Sequence, residues 1–142
     1  MLYRFHANLF ARPPHAVESD VVELRSLTLP TIRAASFNTF FDVTFEQALE
    51  ALAQLPRVDA EPDGFFVVAG DQNGRRWQVD GHLYDFNDRL HRVELHGECP
   101  PDVFDALLAC TGWPATPLAF ELVMEGVAFD EVAFRRWAAQ EG

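Results

Sequence analysis

Lysine is absent from this chain of 142 residues: all eleven positions counted as Lys or Arg are arginine, against 22 aspartates and glutamates. The formal net charge at pH 7 is therefore −11. A field of this sign repels phosphate backbones and anionic lipid surfaces, so we expect neither a nucleic-acid partner nor a membrane partner. The acidic residues are scattered, which is typical of a surface that keeps a protein soluble, and a protein partner should be basic.

Long apolar runs are also missing. No stretch approaches the roughly 20 apolar residues that are needed to cross a bilayer. The first residues place Arg4 and His6 within their apolar part, whereas a signal peptide carries its charge before an uninterrupted apolar stretch. We therefore predict a mature protein that stays in the cytoplasm.

Cysteine is scarce, with Cys99 and Cys110 as the two examples. They flank a predicted helix, whose length separates them by about 15 Å, beyond the reach of a disulfide. Two thiols are also too few ligands for a metal cage. We interpret them as reduced thiols in or near the core, and we expect no cofactor.

Several motifs of well-known enzyme classes do not occur. The sequence has no GxSxG, Walker loop, GxGxxG, HExxH or CxxC, each of which carries a specific chemistry. No catalytic residue can be assigned from such motifs. The chain is therefore more readily explained as a protein without enzymatic activity.

Aromatic residues, in contrast, are abundant. There are 13 phenylalanines and 3 tryptophans, and 49% of the residues are hydrophobic. This composition excludes disorder, and the length suits one domain with one core, covering residues 1–142.

Patterns of apolar residues predict an α+β fold. Alternation with a period of two predicts strands over residues 2–11, 21–29, 37–43 and 118–124. Three amphipathic segments predict helices, the first opened by the capping box of Thr44 and Gln47, the second by Pro101 and the third by Asp130. We expect a mostly antiparallel sheet with the three helices packed chiefly on one face, a plan that resembles many small bacterial α+β domains and implies no activity.

A three-stranded meander over residues 64–97 should form the centre of that sheet. Asn73-Gly74 favours a type I′ turn, which pairs Val68 with Val79. Within residues 86–89, a two-residue loop would mix polar and apolar side chains, so we predict a three-residue loop that keeps one face apolar. That face consists of Trp77, Val79, Leu83, Val93 and Leu95, with His91 on the same side.

The other face of the meander gathers Asp80, His82, Glu94 and His96. Carboxylates and imidazoles beside apolar neighbours can bind a divalent metal or another ligand, or act as a general acid–base pair. The competing interpretation is a set of ordinary cross-strand pairs on a solvated face, which contribute about 0.2–1 kcal/mol each. His6 has no acidic or histidine neighbour at the spacing of a metal site.

Two functional hypotheses follow from these patterns. The first is a small acidic domain that binds a protein partner without catalysis, in the manner of an inhibitor, immunity or adaptor protein. The alternative is a small enzyme, or a ligand-binding or metal-binding domain, that uses the cluster of Asp80, His82, Glu94 and His96. Self-association into a homo-oligomer is a further possibility, because an open sheet has edges that can pair.

Overall fold

Nine strands form one antiparallel sheet, and three helices complete a small α+β domain, in a computed structural model that describes residues 1–141. The strands are β1 (Tyr3–Ala11), β2 (Val17–Leu24), β3 (Leu27–Arg33), β4 (Val58–Ala60), β5 (Phe65–Gln72), β6 (Arg75–Phe86), β7 (Arg89–Cys99), β8 (Leu118–Leu122) and β9 (Ala128–Phe129). The helices are α1 (Phe45–Ala53), α2 (Pro101–Ala109) and α3 (Glu131–Ala139). Each helix has nine residues, and none in the described part of the chain is long and apolar enough to span a membrane.

The first strand of the chain lies at the centre of the sheet. The strand order is β2-β3-β9-β8-β1-β7-β6-β5-β4, so β1 is bordered by β7 and β8. The prediction that residues 64–97 form the centre is therefore wrong. Strands β5 to β7 occupy one half of the sheet, and the three residues of β4 pair with residues 66–68 of β5 at its edge.

The core lies between the sheet and the helices. β1 alternates buried Tyr3, Phe5, Ala7 and Leu9 with more exposed residues. All three helices contribute buried side chains to the same core cluster as these residues. Short helices of this kind depend on such packing, because an isolated helix below about 12 residues is marginal in water.

The helix starts follow the local sequence as predicted. The hydroxyl of Thr44 accepts from the backbone N–H of Gln47, and the side chain of Gln47 accepts from the N–H of Thr44, at 3.0 and 2.9 Å. Asp130 accepts from the N–H of Ala133 at 2.9 Å. These caps satisfy backbone donors that the first helical turn leaves free.

The turn between β6 and β7 differs from the prediction. Phe86 pairs with Arg89, so the loop has two residues, Asn87 and Asp88, both with positive φ. The extra residue lies instead in a bulge near Tyr84, where the register shifts by one. The predicted three-residue loop is therefore wrong. The bulge nevertheless puts the side chains on the same faces as that loop would, and the predicted apolar face of Trp77, Val79, Leu83, Val93 and Leu95 is buried.

The bulge also moves His91 away from its predicted position. Leu90 is fully buried in the core, while the half-buried ring of His91 lies edge-on to Phe10 and Phe40, at 5.9 and 5.3 Å between centroids. Phe10 lies two residues after Asn8 on β1, so both side chains are on the sheet face opposite the core. The prediction that His91 shares the side of Leu83 is therefore wrong.

Two predicted strands are also corrected. Residues 21–29 are not one strand, because a turn at Arg25-Ser26, with positive φ at both residues, separates β2 from β3. Neither residue type is typical of such a turn. At this turn, Arg25 makes contacts with residues distant in sequence. Its guanidinium lies 3.8 Å above the Trp137 ring and donates to the carbonyl of Arg4 at 3.0 Å.

Residues 37–43 form an irregular segment rather than a strand. Its phenylalanines point to different places: Phe41 is fully buried in the core, whereas Phe37 packs against Phe10, with 5.6 Å between ring centroids. The backbone N–H of Phe41 donates a hydrogen bond to the carbonyl of Leu90 on β7 at 3.1 Å, which connects the segment to the sheet. Phe37 and Phe41 therefore do not share one side, as a strand with a period of two would require.

Candidate binding site on the open sheet face

The sheet face opposite the core is covered at one end and uncovered over the rest. At the covered end, Phe37 packs on a small cluster of Ile32, Ala119 and Ala128. The uncovered part lies on β1, β5, β6 and β7, and we call it the open face. Its principal side chains are those of His6, Asn8, Phe65, Asp80, His82, Tyr84, Arg92, Glu94 and His96.

The four residues of the predicted cluster are neighbours on the open face. Asp80 pairs with His96 and His82 pairs with Glu94, so carboxylates and imidazoles alternate around four corners. All four line one open depression with a volume of about 220 Å³. Phe65, Gly81 and Tyr84 complete its lining.

Glu94 accepts hydrogen bonds from two neighbouring strands. Its Oε2 lies 2.9 Å from His6 Nε2, and its Oε1 accepts from the Tyr84 hydroxyl at 3.3 Å. The hydrogen bond from His6 is the main reason that the pKa of Glu94 lies below its usual value, and it outweighs the opposing effect of burial. Glu94 is therefore a carboxylate at neutral pH, and its oxygens are engaged by His6 and Tyr84 rather than by His82.

His6 is the residue of this site that sequence reasoning missed. It lies directly opposite His96 across the β1–β7 pair, and the two rings stack with centroids 4.1 Å apart and planes 12° apart. Its contact with Glu94 joins residues 88 positions apart in the chain. No local pattern contains this information, because it depends on β1 lying beside β7.

Mutual contacts hold the other rings of the open face in place. The ring of His82 lies 4.5 Å from that of Tyr84, and the guanidinium of Arg92 sits 3.7 Å above the Tyr84 ring. Arg92 also donates to the side-chain oxygen of Asn8 at 3.3 Å. These side chains therefore support one another through stacking and one hydrogen bond.

A metal centre is not supported by this geometry. Among residues 1–141, no group of three or more His, Cys, Asp or Glu side chains is arranged to hold a metal ion.

Glu94 and the two thiols have pKa values that do not suit them to catalysis at neutral pH. A general acid or base works best with a pKa near the operating pH, and the pKa of Glu94 is shifted away from neutrality. Burial, with the nearby Asp102 and Asp105, raises the pKa of Cys99 to about 12, and burial raises that of Cys110 to about 11. Both thiols are free and buried, so neither is an effective nucleophile at neutral pH.

Comparisons of the chain with protein-family models, curated proteins and solved structures gave no significant match. On the open face, rings, carboxylates and a depression occur together.

Replacing Glu94 by glutamine should change the acid limb of the stability curve. Because the folded pKa of Glu94 is lowered, its carboxylate stabilises the folded state above the unfolded pKa, and this contribution disappears as the pH falls through the folded pKa. The side chain is 35% exposed, so we expect a difference of less than about 1 kcal/mol at pH 5 that shrinks toward pH 2.5.

Urea denaturation of wild type and Glu94→Gln between about pH 2.5 and 5.5 measures this difference. Glu50→Gln is the matched control, because Glu50 is exposed on α1 and remote from the depression. A wild-type advantage that stays constant down to the lowest pH would contradict the assigned role of the Glu94 carboxylate.

Proposed function

We propose that this protein is a non-catalytic binding protein that recognises a basic protein partner through the open face. One observation carries the proposal: aromatic and imidazole rings and two carboxylates, some half-buried and some exposed, surround a depression on a sheet face that no helix covers. We further propose that the meander of β5 to β7 presents this face, while the three helices on the opposite side keep it rigid. We also propose a cytoplasmic location, where the two thiols would stay reduced.

The residue types of the open face support protein binding. Tyrosine and arginine are enriched among the residues that dominate binding energy at protein interfaces. Tyr84 and Arg92 are half-buried and stacked on each other at 3.7 Å. Because they are already ordered, a partner would lose little of its binding energy to fixing them.

The size of the depression supports a macromolecular partner over a free small molecule. Pockets for drug-sized ligands usually enclose about 300–1,000 Å³ and bury most of the ligand. The depression measures about 220 Å³ and is open to solvent. This volume suits one side chain that projects from a larger partner.

The net charge of −11 supports a basic partner. An acidic protein attracts a basic one over distances comparable to the Debye length, so association should be fast at low salt and weaker at high salt. The same charge opposes a second copy of the chain as the partner, because two copies would repel each other.

Affinity capture from a lysate of the source cells tests the proposal, with wild type, Tyr84→Ala and Val132→Ala as baits. We expect wild type to retain a basic protein at about 50 mM salt and to lose most of it at about 500 mM, as screening shortens the reach of the charges. Tyr84→Ala should retain about tenfold less, because it removes the ring that orders Arg92 and His82.

Val132 is the matched control, since it is 72% exposed on α3, on the other side of the sheet from the open face. Its alanine variant should capture as much as wild type. Circular dichroism should show that Tyr84→Ala is folded. Equal capture by wild type and Tyr84→Ala, or capture that ignores salt, would refute binding of a basic partner through this face.

A further inference from the structure

We propose that the depression on the open face binds the guanidinium of a single arginine side chain. This inference rests on the proposed function, since the arginine would project from the basic partner. The depression would then be the specific contact within a broader interface.

The charges around the depression favour a cation. Its lining contains the carboxylates of Asp80 and Glu94 and has no arginine. Asp80 receives one hydrogen bond, from the Gln78 side chain to Oδ1 at 2.8 Å, and its other oxygen can accept a further donor. Two carboxylates on one depression would repel an anionic group and attract a cationic one.

The rings around the depression favour a planar cation. His96 stacks on His6 on the side of β1, so its opposite face is turned toward β6 and the depression. His82 and Phe65 line the other side, with 6.4 Å between their ring centroids. A guanidinium stacks on aromatic faces and donates in its plane, whereas the compact ammonium of lysine does neither as well.

The open face already contains one guanidinium held in a similar way. Arg92 lies with its guanidinium 3.7 Å above the Tyr84 ring and donates to Asn8 in the same arrangement. This contact lies beside the depression and leaves the depression itself free. The ring surface of this face therefore accommodates a guanidinium by stacking combined with hydrogen bonding.

Titration with N-acetyl-arginine amide, followed by NMR signals of the imidazole and tyrosine rings, tests the inference. We expect saturable shifts at His82, Tyr84 and His96 with a millimolar dissociation constant, about the affinity that one stacked and paired cation supports. N-acetyl-citrulline amide has nearly the same shape without the charge and should bind about tenfold more weakly. N-acetyl-lysine amide should fall between the two.

Asp80→Asn should weaken the binding of N-acetyl-arginine amide about fivefold or more, because it removes one of two charges at the site. Glu50→Gln is the matched control, an exposed acidic residue on α1, on the other side of the sheet from the depression. It should bind the amide as wild type does. Asp80 is exposed, so both variants are expected to fold.

Each result separates this inference from the proposed function. Equal binding of the citrulline and arginine amides, no saturation, or equal loss in Asp80→Asn and Glu50→Gln would overturn the arginine site. If the lysate capture still depends on Tyr84 in that case, the partner binds without an arginine in the depression. Saturable arginine binding together with a failed capture would instead overturn the proposed function and leave the subsite in place.

Discussion

Replacing Phe134 by alanine is expected to lower the free energy of unfolding by about 3–5 kcal/mol. The ring is fully buried on α3 and lies 4.3 Å from that of Phe120 and 5.7 Å from that of Phe104. It therefore connects α3 with β8 and α2. Alanine would lose these contacts and leave a cavity that rigid neighbours fill only in part.

Urea unfolding at pH 7 measures this loss, and Val132→Ala is the matched control on the same helix. Val132 is 72% exposed, so its truncation should change stability by less than about 0.5 kcal/mol. The loss expected for Phe134→Ala is a sizeable share of the 5–15 kcal/mol that usually stabilises a domain. A Phe134→Ala variant as stable as Val132→Ala would show that the packing around α3 is not as described.

Replacing Gly97 by alanine is expected to cost about 3 kcal/mol or more. Gly97 lies in β7 beside His96 and has φ +143°, a conformation that side chains rarely adopt. A Cβ atom there would also overlap the backbone oxygen of Gln78 on β6. That oxygen cannot rotate away as a flexible side chain would, so the two strands would have to separate.

Gly126→Ala provides the control for this prediction. Gly126 also has positive φ, at +73°, but a Cβ atom would meet nothing within 4 Å. Its alanine variant reports backbone strain alone, about 1 kcal/mol. Thermal and urea unfolding of both variants measure the difference, and equal losses would show that the close approach of β6 to β7 at Gly97 carries no energy.

Features of the fold that depend on neighbours in the sequence could be predicted. The capping box at Thr44 and the cap at Asp130 each involve residues three apart, so the sequence contains both partners. The alternation of apolar residues in β1 is also local, and it follows from the burial of one face. Class and caps are thus accessible without tertiary information.

Features that depend on distant contacts could not be predicted. The turn at Arg25 contains neither glycine nor asparagine, and the residue contacts Trp137, far along the chain. The sequence predicts a three-residue loop before Arg89, where the structure has a two-residue loop and a bulge. The two arrangements cannot be told apart by pattern, because both place the same side chains on the same face. The phenylalanines of residues 37–43 alternate as in a strand, yet they pack on two different surfaces.

The candidate site was predictable in part. The positions of Asp80, His82, Glu94 and His96 follow from side-chain alternation within adjacent strands, which the sequence contains. Their chemistry does not, since the pKa of Glu94 is set mainly by His6. The identity of the strand beside β7 decides which groups interact at this site, and no pattern within residues 64–97 specifies it.

The central position of β1 has a consequence for how the protein is made. Both strands that border β1 come much later in the chain, at residues 89–99 and 118–122. Chains are usually synthesised at about 5–20 residues per second. β1 therefore remains unpaired for several seconds until these two strands have been made. Contacts of such long sequence separation also slow folding, because a large loop must close first. We therefore expect the partly synthesised chain, before β7 and β8 have been made, to be the state of this protein most prone to aggregation.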